Sequence, residues 1–194
     1  MKKIYAIAAT GIIAALCAFK PAAPGTWAVD KNHAKIGFTI THNMTSDVDG
    51  NFKSFDATIT TSGDDFSGSV FDFSADAASI NTDNEHRDKQ VRSADFLDVE
   101  KYPKLVFKST SVKKKNGGNY EITGNLTLHG ITKKETFNAL VRIPPAAVGL
   151  TKTVAGFKVT GEIKRSDFGI GGAFANIMLG DEITITANGE FTKS

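Results

Sequence analysis

Cysteine is almost missing from this chain: Cys17 is the only one in 194 residues. Neither a disulfide framework nor a thiolate metal site can support the chain beyond it. Tryptophan occurs once and tyrosine three times, against fourteen phenylalanines. Aromatic surface is thus supplied mostly without a polar group to satisfy. No charge of one sign dominates. Lys+Arg is 23 and Asp+Glu is 21, and Lys2, Lys3 and Lys20 lie near the N-terminus, so the remainder carries a formal charge of −1. That balance excludes the basic footprint of a nucleic-acid-binding protein. The cluster Lys113-Lys114-Lys115 stands beside Asn116-Gly117-Gly118 and reads as a solvated hairpin tip. The longest apolar stretch, Ile4 to Phe19, is interrupted by Tyr5, Thr10 and Gly11 and is short for a bilayer span.

That stretch follows Met1-Lys2-Lys3 and ends at Lys20 and Pro21-Ala22-Ala23-Pro24. A basic start, a short apolar run and a small-residue exit predict a secretory leader over 1–23, cleaved between 17 and 23. A retained anchor is the competing reading. Lipid anchoring at Cys17 is disfavoured because Leu16, a large residue, precedes it. The protein is expected in the periplasm or outside the cell, with one domain over 24–194.

Within that domain the dominant signal is alternation with a period of two. Ala34-Ile36-Phe38-Ile40 shows it, as do Phe55-Ala57-Ile59 and Phe71-Phe73-Ala75-Ala77. It returns in Tyr120-Ile122-Gly124-Leu126-Leu128, Phe137-Ala139-Val141-Ile143, Phe157-Val159-Gly161-Ile163 and Ile183-Ile185-Ala187-Gly189-Phe191. Each run predicts a half-buried strand. With Leu105-Phe107 and a short Trp27-Val29 start, about eight or nine strands are expected. Turns are predicted at Asp49-Gly50, Ser62 to Asp65, Asn116 to Gly118, Pro144-Pro145 and Leu179-Gly180-Asp181. A helix is expected from about Asp83 to Phe96, capped by Asp83 or Asn81.

Consecutive strands with short links favour an antiparallel meander. Closure into a barrel would remove its exposed edges. The expected fold is all-β: a single barrel of about eight strands with one short helical crossover. Inward positions hold many small residues: Ala57, Ala75, Ala77, Gly124, Ala139, Gly161, Ala187 and Gly189. These point to unfilled interior volume, although small residues also make room for large ones across a packed core. A cavity walled by Phe, Ile, Leu and Val suits a long hydrocarbon better than a sugar or nucleotide. Candidate lining residues are Ile36, Phe38, Ile40, Phe71, Phe73, Phe107, Leu126, Leu128, Phe137, Phe157, Phe168 and Ile170.

Catalytic signals are sparse. The histidines are His33, His42, His86 and His129, and no close-spaced ligand motif joins them. Strict alternation places His33 and His42 on opposite faces. No Gly-x-Ser-x-Gly elbow occurs. A non-enzyme without cofactor or metal is expected. Arg87, Asp88, Arg92 and Asp95 read first as a mutually paired network locking the helix to the barrel. Arg87, Arg92 and His42 are the candidate contacts for a ligand head group. The segment from Phe168 to Gly180 is apolar and glycine-rich without clean alternation. Two readings stand for it, a flexible lid and an irregular bulged strand.

Several blocks, in order, resemble the YceI-like family of bacterial lipid/polyisoprenoid-binding proteins. They begin with Trp27-Ala28-Val29-Asp30-Lys31-Asn32-His33, Phe38-Thr39-Ile40-Thr41-His42 and Val48-Asp49-Gly50-Asn51-Phe52. Ser79-Ile80-Asn81-Thr82, Arg87-Asp88 and Arg92-Ser93-Ala94-Asp95-Phe96 come next. Tyr102-Pro103-Lys104-Leu105-Val106-Phe107, Gly124-Asn125-Leu126-Thr127-Leu128-His129-Gly130 and Lys164-Arg165-Ser166-Asp167-Phe168-Gly169-Ile170 complete the series. The resemblance implies a lipocalin-like barrel with an elongated apolar tunnel. Its expected ligand is an isoprenoid chain, as a polyprenyl phosphate or an isoprenoid quinone, and a transient membrane contact is the other partner considered. The chain departs from the family pattern at Gln90, where a histidine is usual, and at Leu97, where a second phenylalanine is common. The alternative is an envelope interaction or stress protein whose barrel is filled by side chains and whose partner docks outside. Oligomeric state, a homodimer included, is not specified by any motif.

Overall fold

The alternating runs are strands, and longer ones than the apolar pattern marks. The computed structural model describes residues 25–63, 65–145 and 148–194. The segment expected to be a leader, 1–23, and with it Cys17, lies outside the described residues. The strands are β1 (Gly25–His42), β2 (Ser46–Phe52), β3 (Phe55–Thr61), β4 (Val70–Asp76) and the two-residue β5 (Ile80–Asn81). After helix α1 (Glu85–Arg92) come β6 (Lys104–Lys114), β7 (Asn119–Leu128), β8 (Ile131–Arg142), β9 (Val154–Lys164) and β10 (Leu179–Lys193). All pairings are antiparallel, and β10 returns to β1. The result is a closed eight-strand barrel, with β2 and β3 acting as one bent strand against β1.

Trp27-Val29 and Ala34-Ile40, read separately from sequence, belong to the same β1. Between them Asp30 pairs with Glu190 and Ala34 with Gly189, so Lys31-Asn32-His33 bulges out of the ladder. The Asp30 carboxylate holds the bulge, accepting from the Asn32 amide at 3.0 Å and meeting His33 Nδ1 at 2.9 Å. At Lys53-Ser54 the chain turns away from β1. There the Lys53 amide donates to the Ser79 carbonyl at 3.1 Å and the Ser54 amide to the Ser79 hydroxyl at 3.1 Å.

Two predicted turns are strand instead. Asp49-Gly50 sits inside β2, with Gly50 opposite Phe38, and the hairpin turns at Asn43 and Met44, whose φ values are 51° and 53°. Glycine at 50 serves close approach of an aromatic ring, a different use of the residue from a turn. Leu179-Gly180-Asp181 opens β10. The helix is shorter than expected, because Asp83 takes a left-handed φ of 56° and Asn84 caps α1 by accepting from the Arg87 amide at 3.0 Å.

The β3–β4 loop end of the barrel is shut by aromatic packing. Phe66 is fully buried, with ring centroids 5.3 Å from Trp27 and 4.9 Å from Phe157. Phe157 in turn meets Phe71 at 5.6 Å and Phe191 at 5.1 Å. The opposite end carries α1 and the long connection from β9 to β10.

Candidate functional site

Between these ends lies a cavity of about 390 Å³. Ile36, Phe38 and Ile40 border it from β1, and Phe71 and Phe73 from β4. Phe107, Leu126, Leu128, Phe137 and Phe157 border it from β6 to β9, and Ile170 closes from above. Alternation puts all the strand members on one face. Phe168 is the exception among the apolar candidates. It is fully buried in the short helical turn Arg165–Phe168 but is not among the cavity residues. Its carbonyl meets His129 Nδ1 at 2.9 Å, so that nitrogen carries the proton and donates.

The small inward residues divide in two. Ala57, Ala187 and Gly189 border the cavity. Ala75, Ala77, Gly124, Ala139 and Gly161 do not, which corrects the expectation that all leave space. Over Gly124 lies the Phe107 ring, and over Gly161 the Phe137 ring: an added Cβ would meet them at 2.6 Å and 2.5 Å. Rings fold onto glycines of neighbouring strands, so part of the missing volume is already filled.

Five residues both border the cavity and face solvent; His42, Asn43, Gln90 and Met178 lie together at the α1 end, and Asn188 lies by itself within β10. The mouth is therefore at the α1 end. Thr82 and Arg87 add polar groups beside it. Of the three head-group candidates, His42 and Arg87 border the cavity and Arg92 does not. Arg92 is committed to backbone, donating from Nε to the Ala78 carbonyl at 2.8 Å and from Nη2 to the Ile80 carbonyl at 2.6 Å. Arg87 donates from Nε to Thr82 Oγ1 at 2.8 Å and from Nη2 to the Thr82 carbonyl at 2.7 Å.

Asp88 anchors this network. It is 5% exposed and accepts from the Thr82 amide at 2.8 Å and hydroxyl at 2.7 Å. Burial pushes its carboxyl upward, but the Thr82 hydrogen bonds, with Arg92 and Arg87 nearby, outweigh that and hold it below the ordinary range. The network ties α1 to the strand segment before it.

Arg165 is the residue that sequence reasoning missed. It is 3% exposed and borders the cavity. Its guanidinium donates to the carbonyls of Gly180, Ile170, Gly171, Phe174 and Leu179 and to Asn176 Oδ1, at 2.8 to 3.0 Å. These acceptors wrap the connection to β10 around one cation. The only hint in the sequence is an arginine three residues before Phe168 to Gly180, a long stretch without an ionisable side chain. The segment Phe168–Gly180 is thus neither strand nor bulge before Leu179: it is a series of turns. Phe174 stacks on Phe96 at 5.2 Å, and the Gly171 amide donates to the Asp95 carbonyl at 2.9 Å, joining it to the α1 crossover.

His33 stands exposed in the β1 bulge, away from His42. Among the described residues no group of three or more His, Cys, Asp or Glu side chains could hold a metal ion.

Comparison with known proteins places this geometry. Residues 27–191 match the YceI-like domain. A UPF0312 protein of Serratia proteamaculans is 42% identical over 144 residues, covering 73% of this chain and 74% of its own. The crystal structure of Burkholderia cenocepacia BcnA superposes with a TM-score of 0.74 at 24% identity, covering 84% of this chain and 98% of that one. A polyisoprenoid binding domain from Saccharophagus degradans shares the fold with a TM-score of 0.68 at 13% identity, covering 88% and 99%. With a match across nearly the whole described barrel, this chain belongs to the YceI-like family.

Proposed function

We propose that this protein is an exported, non-enzymatic carrier or reservoir for a long isoprenoid lipid, a polyprenyl phosphate or an isoprenoid quinone. The single observation that carries the reading is the cavity: about 390 Å³, walled by aliphatic and phenyl side chains, shut by aromatics at one end and polar at the other. Its volume falls in the range of about 300–1,000 Å³ common to ligand sites. Such a wall holds hydrocarbon by water exclusion and dispersion spread over many contacts. The mouth groups His42, Arg87 and Gln90 are offered to a head group. Support also comes from the shared fold with a domain described as polyisoprenoid-binding. The competing reading, a barrel filled by its own side chains with a partner outside, is weakened by the space left inside.

Organic-solvent extraction of the protein purified from its native compartment, followed by mass spectrometry, tests the proposal. A stoichiometric isoprenoid is expected. Empty protein that also fails to take up a fluorescent polyprenyl probe would overturn it.

A further inference from the structure

The cavity mouth carries an apolar rim that the lipid-binding reading does not by itself require. Met44, at the tip of the β1–β2 hairpin, is 73% exposed, and Ile177 and Met178 are 66% and 50% exposed. The two loops are adjacent: the Asn43 amide donates to the Met178 carbonyl at 2.9 Å, and His42 pairs with Leu179. Met178 belongs to both surfaces, bordering the cavity and facing solvent. The left-handed φ of Asn43 and Met44 turns the hairpin at its tip.

Charge separates this rim from an ordinary surface. Neither Asn43-Met44-Thr45 nor the thirteen residues from Phe168 to Gly180 contain an ionisable side chain. Inserting a charged group among lipid tails is costly, so an uncharged apolar tip is matched to that environment and poorly matched to water. The loop is also held in shape, since Arg165 gathers the carbonyls of Phe174 and Leu179 on either side of Ile177. A second exposed apolar group, Ile143, Val148 and Leu150, lies at the shut end and is not among the residues that border this cavity.

The geometry points to a membrane-docking rim: Met44, Ile177 and Met178 seat the cavity mouth on a lipid bilayer, so that a chain passes between bilayer and barrel without crossing water. The partner is the bilayer itself. The inference takes its cargo from the proposed function, whereas the docking step stands on the rim alone.

Two measurements test it, with Cys17→Ser in every variant. A polarity-sensitive nitrobenzoxadiazole label is placed at Thr45→Cys beside the rim, or at Thr151→Cys beside Leu150. On adding phosphatidylcholine vesicles, the label at 45 is expected to shift to the blue and the label at 151 to stay unchanged. No shift at 45, or an equal shift at both, overturns the inference. In the second measurement Met44→Asp/Ile177→Asp is compared with the parent and with Leu150→Asp for transfer of a fluorescent polyprenyl probe out of those vesicles. Neither Met44 nor Ile177 borders the cavity. The double variant is expected to transfer at least tenfold more slowly while binding the probe in detergent within twofold of the parent. Parental transfer by the double variant, or an equal loss in Leu150→Asp, overturns the docking rim. A parent that binds no probe in detergent overturns the lipid-carrier reading instead, and the label then decides docking alone.

Discussion

The ring of Phe38 lies across Gly50, its partner on the neighbouring strand; a Cβ on Gly50 would stand 2.3 Å from Phe38 Cζ. The clash falls on the far end of a side chain that already borders the cavity. Gly50→Ala is therefore expected to fold and to push the ring inward. Gly124 differs, because its added Cβ would meet the Lys108 carbonyl at 2.4 Å, a backbone atom that cannot swing away. Gly124→Ala should cost about 1–3 kcal/mol, the usual range for overpacking. Urea titration of both variants should find Gly50→Ala the milder in stability and the one whose probe uptake falls further.

Arg165 should be irreplaceable by lysine. A point charge with three donors cannot reproduce a planar fork that reaches six oxygens around the β9–β10 connection. Arg165→Lys is expected to lose about 3 kcal/mol or more, since hydrogen bonds to a charged group are worth about 1.5–3 kcal/mol each and several go together. For a domain of this size that is a fall of about 6–12 °C in Tm. Hydrogen exchange should rise first in the segment between Gly169 and Met178. Parental exchange there would show that the guanidinium does not hold the loop.

Phe73 tests the cavity wall from the side. Phe73→Leu should keep the fold and weaken binding of a fluorescent polyprenyl probe by about two- to tenfold, the loss of roughly a methylene or two of contact. Phe73→Asp would place an unpaired carboxylate against hydrocarbon, and it should abolish uptake or open the barrel. Two folded variants that bind like the parent would remove Phe73 from the ligand wall.

Phe66→Ala removes the ring that Trp27 and Phe157 pack on. A loss of about 3–5 kcal/mol is expected from the transfer and cavity terms together. Thermal melts should show it, and Phe66→Leu should recover part of it.

Acid should loosen the α1 anchor. The Asp88 carboxyl is held below its ordinary value of 3.8, so its contribution is present above that pH and is lost as pH falls through the lower folded value. Asp88→Asn should be less stable than the parent at pH 7 by about 1–3 kcal/mol. The gap between the two should narrow below about pH 4, where the parent's own carboxylate takes up a proton. A gap that stays constant from pH 7 to pH 3 would assign the loss to shape alone.

Strand identity and the inward face of this barrel were legible in the residues, because side chains alternate strictly across a sheet and apolar ones must leave water. Phe38, Phe71, Phe73 and Leu128 could be assigned to one face from spacing alone. Glycine was where local reading failed. Gly50 and Gly180 look like turn residues along the chain, yet each lies in a strand. For Gly50 the reason is a phenyl ring brought across by β1, and strand register is a property of two segments at once. The same holds for Arg165, whose six acceptors lie between Ile170 and Gly180 and converge only when that connection folds back over the barrel end. Phe168 and Ile170 are two residues apart, but Phe168 is buried away from the cavity, with its carbonyl on His129 Nδ1, and Ile170 borders the cavity. Alternation is a rule about extended backbone, and it stops predicting direction where the backbone stops being extended. The amount of interior left empty was also a tertiary matter: Gly124 and Gly161 are small in sequence, and only packing shows that neighbouring rings occupy the space they leave.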